Sequence, residues 1–262
     1  MLERLNDARA NPAAYGMTIG VDLSNVRAAE PLAFHPVLLG YARGVLPAKR
    51  TPSFWRMSLD LQVRRAGFPA TYTGQCLTTA ALYHGPDEAF NREEADRLVN
   101  ETLSMLMRFP KAGNYVYRKQ LLAITDTAAK PRRQAGIGLS LYETQPSGDE
   151  GSSWEYRFYA ANFTTAADAD RRAFVTGVVY RDENSNGKYD LGEGLGGVRI
   201  SVSPPRATTT WDTGGYNLRL NPGTYTVTAS GGELSESMTA TVRLGRRNTR
   251  LDFALPANPP VV

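Results

Sequence analysis

Apolar residues in the N-terminal part of the chain recur at helical spacing. Leu2, Leu5, Ala8 and Arg9 share one helical face, and Asn11-Pro12 ends that turn. Pro36-Val37-Leu38-Leu39-Gly40-Tyr41-Ala42 predicts a second helix. Residues 93–108 predict a third, with Ala95, Leu98, Val99, Thr102, Leu103 and Leu106 on one face and Pro110 as its stop. The pattern then changes to alternation, so that Ala135 to Tyr142 and Trp154 to Ala160 read as strands flanking the turn-rich 147–153. Helices first and an antiparallel strand pair last describe an α+β domain.

From Phe174 the chain is rich in Gly, Thr and Val, and short strands follow one another at near-regular spacing. They are Phe174 to Tyr180, Val198 to Val202, Gly215 to Leu220, Gly223 to Ala229, Met238 to Leu244 and Arg250 to Ala254. Turns come from Asn221-Pro222-Gly223 and Ser230-Gly231-Gly232, and the spacing predicts a β-sandwich. The reading is therefore a domain over 1–165, a linker over 166–173, a sandwich over 174–255 and a Pro-rich tail over 256–262.

Between the first two strands of the sandwich runs Asp182-Glu183-Asn184-Ser185-Asn186-Gly187-Lys188-Tyr189-Asp190-Leu191-Gly192-Glu193. Calcium takes six to eight oxygens, and a twelve-residue loop supplies them from positions 1, 3, 5, 7, 9 and 12 with glycine at 6. Here these are Asp182, Asn184, Asn186, the backbone carbonyl of Lys188, Asp190 and Glu193, with Gly187 at the bend. Magnesium fits less well, because it wants a tighter octahedron and keeps its water. The flanks read as strands rather than helices, so a bound Ca2+ would stiffen the domain rather than open a groove. The plain alternative is an Asn186-Gly187 hairpin turn with solvated acids.

Composition adds mainly exclusions. The 262 residues are 42% apolar, enough for buried cores, and the net charge is +4. The paired arginines at 64–65, 132–133, 171–172 and 246–247 are scattered, whereas nucleic-acid binding gathers such charge on one face. Cys76 stands alone, so no intrachain disulfide forms, and it reads as a small buried hydrophobe. No apolar run is long enough to span a bilayer, and Met1 to Leu5 reads as helix rather than signal peptide.

Enzyme signatures are weak. His35 precedes Pro36 at a helix entry and His84 sits on a turn. No Gly-x-Ser-x-Gly elbow is present, and Cys76 has no flanking cation to pair it with His84. Glu88, Glu93 and Glu94 are glycosidase candidates by residue type alone, the last two suiting a helix start. Gly194 to Gly197 leads into a strand and lacks the Lys-Ser/Thr ending of a phosphate loop. Phe54, Trp55, Tyr83, Tyr115 and Tyr117, with a lip at 48–51, would serve a groove or an ordinary core equally.

Two resemblances follow from longer motifs. The run from Gly177 to Val198, with Asp212-Thr213-Gly214-Gly215-Tyr216-Asn217-Leu218 and Leu220-Asn221-Pro222-Gly223-Thr224-Tyr225-Thr226-Val227, resembles the B-repeat of SD-repeat bacterial surface adhesins. It implies an immunoglobulin/prealbumin-like sandwich stiffened by calcium and used as a spacer. The Lys-Asn cross-link of some relatives finds no constellation here, Lys188 being the domain's only lysine. Leu5 to Gly16, Pro31 to Leu38, Ala66-Gly67-Phe68, Gly74-Gln75-Cys76-Leu77 and Gly136-Ile137-Gly138 occur in the order of the bacterial CAP (SCP-like extracellular) family. That likeness implies an α-β-α sandwich over about 1–165.

The family's cleft carries two histidines and two glutamates proposed to bind a metal. Its Gly-Glu-Asn is Gly74-Gln75-Cys76 here, Val45-Leu46-Pro47 stand where the first histidine belongs, and no histidine follows His84. The resemblances together imply a non-enzymatic, exported surface or matrix protein whose partners are other surface or matrix proteins or further copies of itself. Two alternatives stay open: a subunit of an extracellular filament, its strand edges pairing between chains, and a CAP-like hydrolase or lipid-binding cleft with substituted residues.

Overall fold

The structure, a computed structural model, describes residues 1–45, 58–84, 91–108, 116–124, 126, 132–144, 155–170 and 172–257. It is an α+β protein whose chain divides into two compact units. One comprises Met1–Ala29 and His35–Ala169, the other Glu30–Phe34 and Asp170–Val262.

In the first unit α1 (Leu2–Ala10) is followed at once by α2 (Pro12–Ile19). The expected stop at Asn11-Pro12 ends α1 as read and is at the same time the start of α2. Asn11 caps α2 by accepting from the Ala14 N–H at 3.1 Å, and Pro12 occupies the first turn, where a missing N–H goes unused. After β1 (Ala33–Phe34), which belongs to the second unit, come α3 (Pro36–Val45), α4 (Leu59–Arg65), β2 (Ala70–His84), α5 (Arg92–Arg108), α6 (Val116–Leu121), β3 (Gln134–Thr144) and β4 (Glu155–Asp168). Asn91 caps α5 through Glu94, and Leu98, Thr102, Leu103, Leu106 and Met107 form its buried face. Pro110, its expected stop, lies outside the described residues.

Strand β4 runs antiparallel to β3 on one side and to β2 on the other. Helix α3 lies close against β3 because Gly136 and Gly138 carry no side chain: a Cβ at Gly136 would overlap the Leu38–Leu39 peptide. Leu38, Tyr41, Val63, Phe68, Ala70 and Ala166 close the core beside this contact. Ala166 and Ala167 are buried in β4, so 166–168 of the linker expected over 166–173 are strand, packed by small side chains.

The second unit contains β5 (Ala173–Asp182), β6 (Arg199–Val202), β7 (Arg206–Thr209), β8 (Gly215–Leu220), β9 (Gly223–Ser230), β10 (Met238–Leu244), β11 (Thr249–Arg250) and β12 (Phe253–Pro256). One sheet has the order β10-β9-β6-β7. In the other, β5 pairs antiparallel with β8, and β11 and β12 run parallel to it in succession. A single apolar cluster draws on both sheets, including Val175, Val179, Ile200, Tyr216, Leu218, Val227, Val242 and Phe253. The strand expected over 250–254 is split at Leu251-Asp252, where the Asp252 carboxylate accepts from the Val178 N–H at 3.0 Å. Pro256, expected in the tail, closes β12. Within this unit Asn248 ties Glu30 and Pro31 to the sheets, and Phe34 meets Trp211 edge-on at 4.6 Å.

Candidate metal centre

Strand β5 delivers Asp182 at its last position, and the loop returns to it eleven residues later. Arg181 N–H donates to the Glu193 carbonyl at 2.9 Å, Leu195 N–H to that of Val179 at 2.9 Å, and Tyr180 bridges Gly194. The loop mouth is therefore closed by backbone bonds of a sheet. Its interior path needs left-handed backbone at Ser185 (φ 57°), Gly187 (φ 72°) and Gly192 (φ 90°). Ser185 is the only one of the three with a side chain to oppose that conformation.

The side chains named from spacing are brought into one hydrogen-bonded loop. Asp182 Oδ1 accepts from the Asn186 N–H at 3.0 Å and Oδ2 from the Gly187 N–H at 2.8 Å. Asn184 Oδ1 accepts from Asn186 N–H and Asn186 Oδ1 from Lys188 N–H. Both carboxamides donate to Asp190 Oδ2, at 2.8 and 2.6 Å. Glu193, 2% exposed, lies beneath the loop, its carboxylate accepting from Glu183 N–H at 3.2 Å and Asp190 N–H at 2.8 Å. Lys188 is exposed at the tip.

Carboxylate oxygens have two lone pairs each, so an N–H bond leaves capacity for a second partner. The donor set is all oxygen, which suits a hard cation. Among the described residues no three His, Cys, Asp or Glu side chains converge closely enough to form a metal-holding group. Two of the five side chains are amides, and Asp182 and Glu193 turn their oxygens toward backbone N–H groups. Nearby Tyr180, whose ring stands 5.9 Å edge-on from that of Tyr189, has its hydroxyl pKa raised, first by burial and then by the charges of Asp252 and Asp182.

The other candidates scatter. His35 packs edge-on against Phe68 at 4.8 Å and caps α3, its Nδ1 accepting from the Val37 N–H. His84 is the last residue of β2 rather than part of a turn. Gly74, Gln75 and Cys76 lie in the same strand. The Cys76 thiol donates to Gln120 Oε1 at 3.3 Å and is pushed up to about 12 by burial, against the pull of the Arg132 charge. It stays a neutral thiol near pH 7, which is poor nucleophile chemistry. Glu93 and Glu94 sit in the first turn of α5, and Gly194 packs on the Thr213 carbonyl. Tyr117 falls within α6. Glu88, Phe54, Trp55, Tyr115, the 48–51 stretch and the Tyr83 side chain lie outside the described residues.

Arg132, one of the scattered paired arginines of the sequence, is buried. It pairs with Asp126, stacks over Tyr72 at 5.2 Å and fills the space left by Gly74. Its partner Asp126 is near in sequence, but the Tyr72 ring and the space at Gly74 that bury it are brought in by the fold.

No family model and no curated protein matches the chain. Among solved structures it is similar to a DUF3823 family protein from Bacteroides ovatus, at 20% identity over 32% of this chain and 43% of that one, with a TM-score of 0.22. It is also similar to the Bacillus anthracis TIE protein, at 11% identity over 63% of this chain and 50% of that one, with a TM-score of 0.25. The match thus spans half or less of either neighbour's length.

Proposed function

We propose that this chain is a non-enzymatic, exported surface or matrix protein in which a Ca2+-binding, prealbumin-like sandwich supports a degenerate CAP-like contact domain. The observation that carries the reading is the 182–193 loop. Its oxygen donors stand at the spacing a twelve-residue calcium loop uses, and its backbone is already folded round them. Asp182, Asn184, Asn186, the Lys188 carbonyl, Asp190 and Glu193 would hold the ion. Asp190 Oδ2, which accepts from both carboxamides, would be among the oxygens that hold it. A bound ion would supply positive charge to the Asp182, Asp190 and Glu193 carboxylates and so would fix the loop joining β5 to β6. A site of this kind in an extracellular module works at Kd of about 10⁻⁴–10⁻³ M, which suits an exported setting.

The contact domain has given up cleft chemistry. Gln75 replaces an anion by an amide, and Cys76 is a protonated, buried thiol. Binding to other surface proteins then needs only a stable scaffold.

The test is thermal unfolding of the full chain in calcium and in chelator. At a hundredfold excess over Kd a bound ion contributes about 2.7 kcal/mol, which raises the melting point of a unit this size by about 10 °C. Identical melts in both conditions would remove the calcium part of the proposal.

A further inference from the structure

The same loop contains a second chemistry that does not use an ion. Asn186 is followed by Gly187, and both are exposed. Glycine has no Cβ to shield its backbone nitrogen from the preceding carboxamide. We propose that Asn186 is a site of spontaneous modification to aspartate and isoaspartate, and that the Asp182 carboxylate sets its rate.

The reaction is self-contained apart from water. The Gly187 backbone nitrogen forms a bond to Asn186 Cγ while the Cγ–Nδ2 bond breaks. Ammonia leaves, taking with it the proton given up by the Gly187 nitrogen, and a five-membered succinimide remains. Water then opens this ring at one carbonyl to give aspartate, or at the other to give isoaspartate, in which the main chain runs through the former side chain.

The folded loop holds this reaction back at three points. Gly187 N–H donates to Asp182 Oδ2 at 2.8 Å, and removing its proton would set a nitrogen anion against a carboxylate. The carboxamide is held from both ends, by Lys188 N–H on Oδ1 at 2.8 Å and by Asp190 Oδ2 on Nδ2 at 2.6 Å. Closed, the loop is protected; opened, it reacts. Asn184 is the built-in comparison, equally exposed but followed by Ser185, whose side chain crowds the attacking nitrogen.

Isoaspartate inserts a methylene into the main chain between loop positions 5 and 6, displacing every donor after it. A loaded loop would therefore keep itself intact, and an empty one would lose the site irreversibly. That consequence rests on the calcium reading; the modification does not.

The experiment follows peptide masses of the full chain, kept in chelator at a fixed temperature below its unfolding transition. Wild type, Asp182→Ala and Asp182→Asn are compared, with circular dichroism confirming that each stays folded. Conversion is expected at 186 and not at 184. It should be faster by about tenfold or more in Asp182→Ala, the rate equivalent of one charge-assisted hydrogen bond. Asp182→Asn, which keeps an acceptor oxygen without its charge, should fall between. Equal rates in wild type and Asp182→Ala, or equal conversion at 184 and 186, would overturn the proposal. Adding calcium to wild type should slow conversion further. If calcium has no effect while the Asp182 dependence stands, the modification survives and the calcium reading fails.

Discussion

Glu193→Ala is expected to destabilise the C-terminal unit by about 5 kcal/mol in saturating calcium, the largest effect of any single change in the loop. The buried Glu193 carboxylate accepts from two backbone donors, Glu183 and Asp190 N–H, and its removal leaves both without that acceptor. Bonds to a charged group contribute ~1.5–3 kcal/mol each, and part of this returns as the N–H groups find water. On the calcium proposal a bound ion would add about 2.7 kcal/mol at a hundredfold excess over Kd, and that share would vanish with Glu193. Urea unfolding in calcium and in chelator separates the two: the loss should fall to about half in chelator. Glu193→Gln keeps an acceptor oxygen and should show chiefly the ion-dependent half. A Glu193→Ala loss that is the same with and without calcium would mean that the residue is only a loop clamp.

Gly177→Ala should lower stability by about 3 kcal/mol, although it adds one methyl group. At Gly177 the strand β5 passes the break between β11 and β12. A Cβ there would overlap the Leu251 carbonyl oxygen, lie 2.7 Å from the Leu251 carbonyl carbon and lie 2.8 Å from Asp252 Oδ1. The obstacle is main chain held in register, and Asp252 Oδ1 is the acceptor that satisfies Val178 N–H. Neither neighbour can yield without straining a hydrogen bond to β5, from Leu251 N–H to the Thr176 carbonyl or from Val178 N–H to Asp252. Gly245, with nothing within 4 Å of an added Cβ, is the matching control and should tolerate alanine. Equal urea midpoints for the two variants would contradict the close contact.

Several elements were legible in sequence because their signals are local. Helix α5 carries a long 3.6-period face, β8, β9 and β10 alternate between turns made by Gly, Asn and Pro, and β5 is a continuous buried run rather than an alternating one. That 182–193 forms a loop between strands was legible because its Asn, Asp and Gly residues favour turns, and the structure gathers them into one hydrogen-bonded loop. Other features depend on distant partners. Strand β2 has no clean alternation, Ala70 to His84 mixing small and polar residues, and its strand character comes from pairing with β4. Strand β7 is short, exposed and at a sheet edge, so it has no buried face to mark it. Nearer along the chain, Asn11-Pro12 is both the stop of α1 and the cap of α2, the Asn11 side chain accepting from the Ala14 N–H. The burial of Arg132 needs Tyr72 and the absent side chain of Gly74, both far along the chain. Assignment of Glu30–Phe34 to the C-terminal unit rests on Asn217 and Asn248, far along the chain.

The most direct measurement is a calorimetric titration of calcium into the chelator-stripped full chain, with Glu193→Gln in parallel. One ion per chain, with the heat abolished in Glu193→Gln, is the result expected of a calcium-stiffened sandwich. No heat in the wild type, or the same uptake in both proteins, would show that the 182–193 loop is a turn held by its own hydrogen bonds and no calcium site.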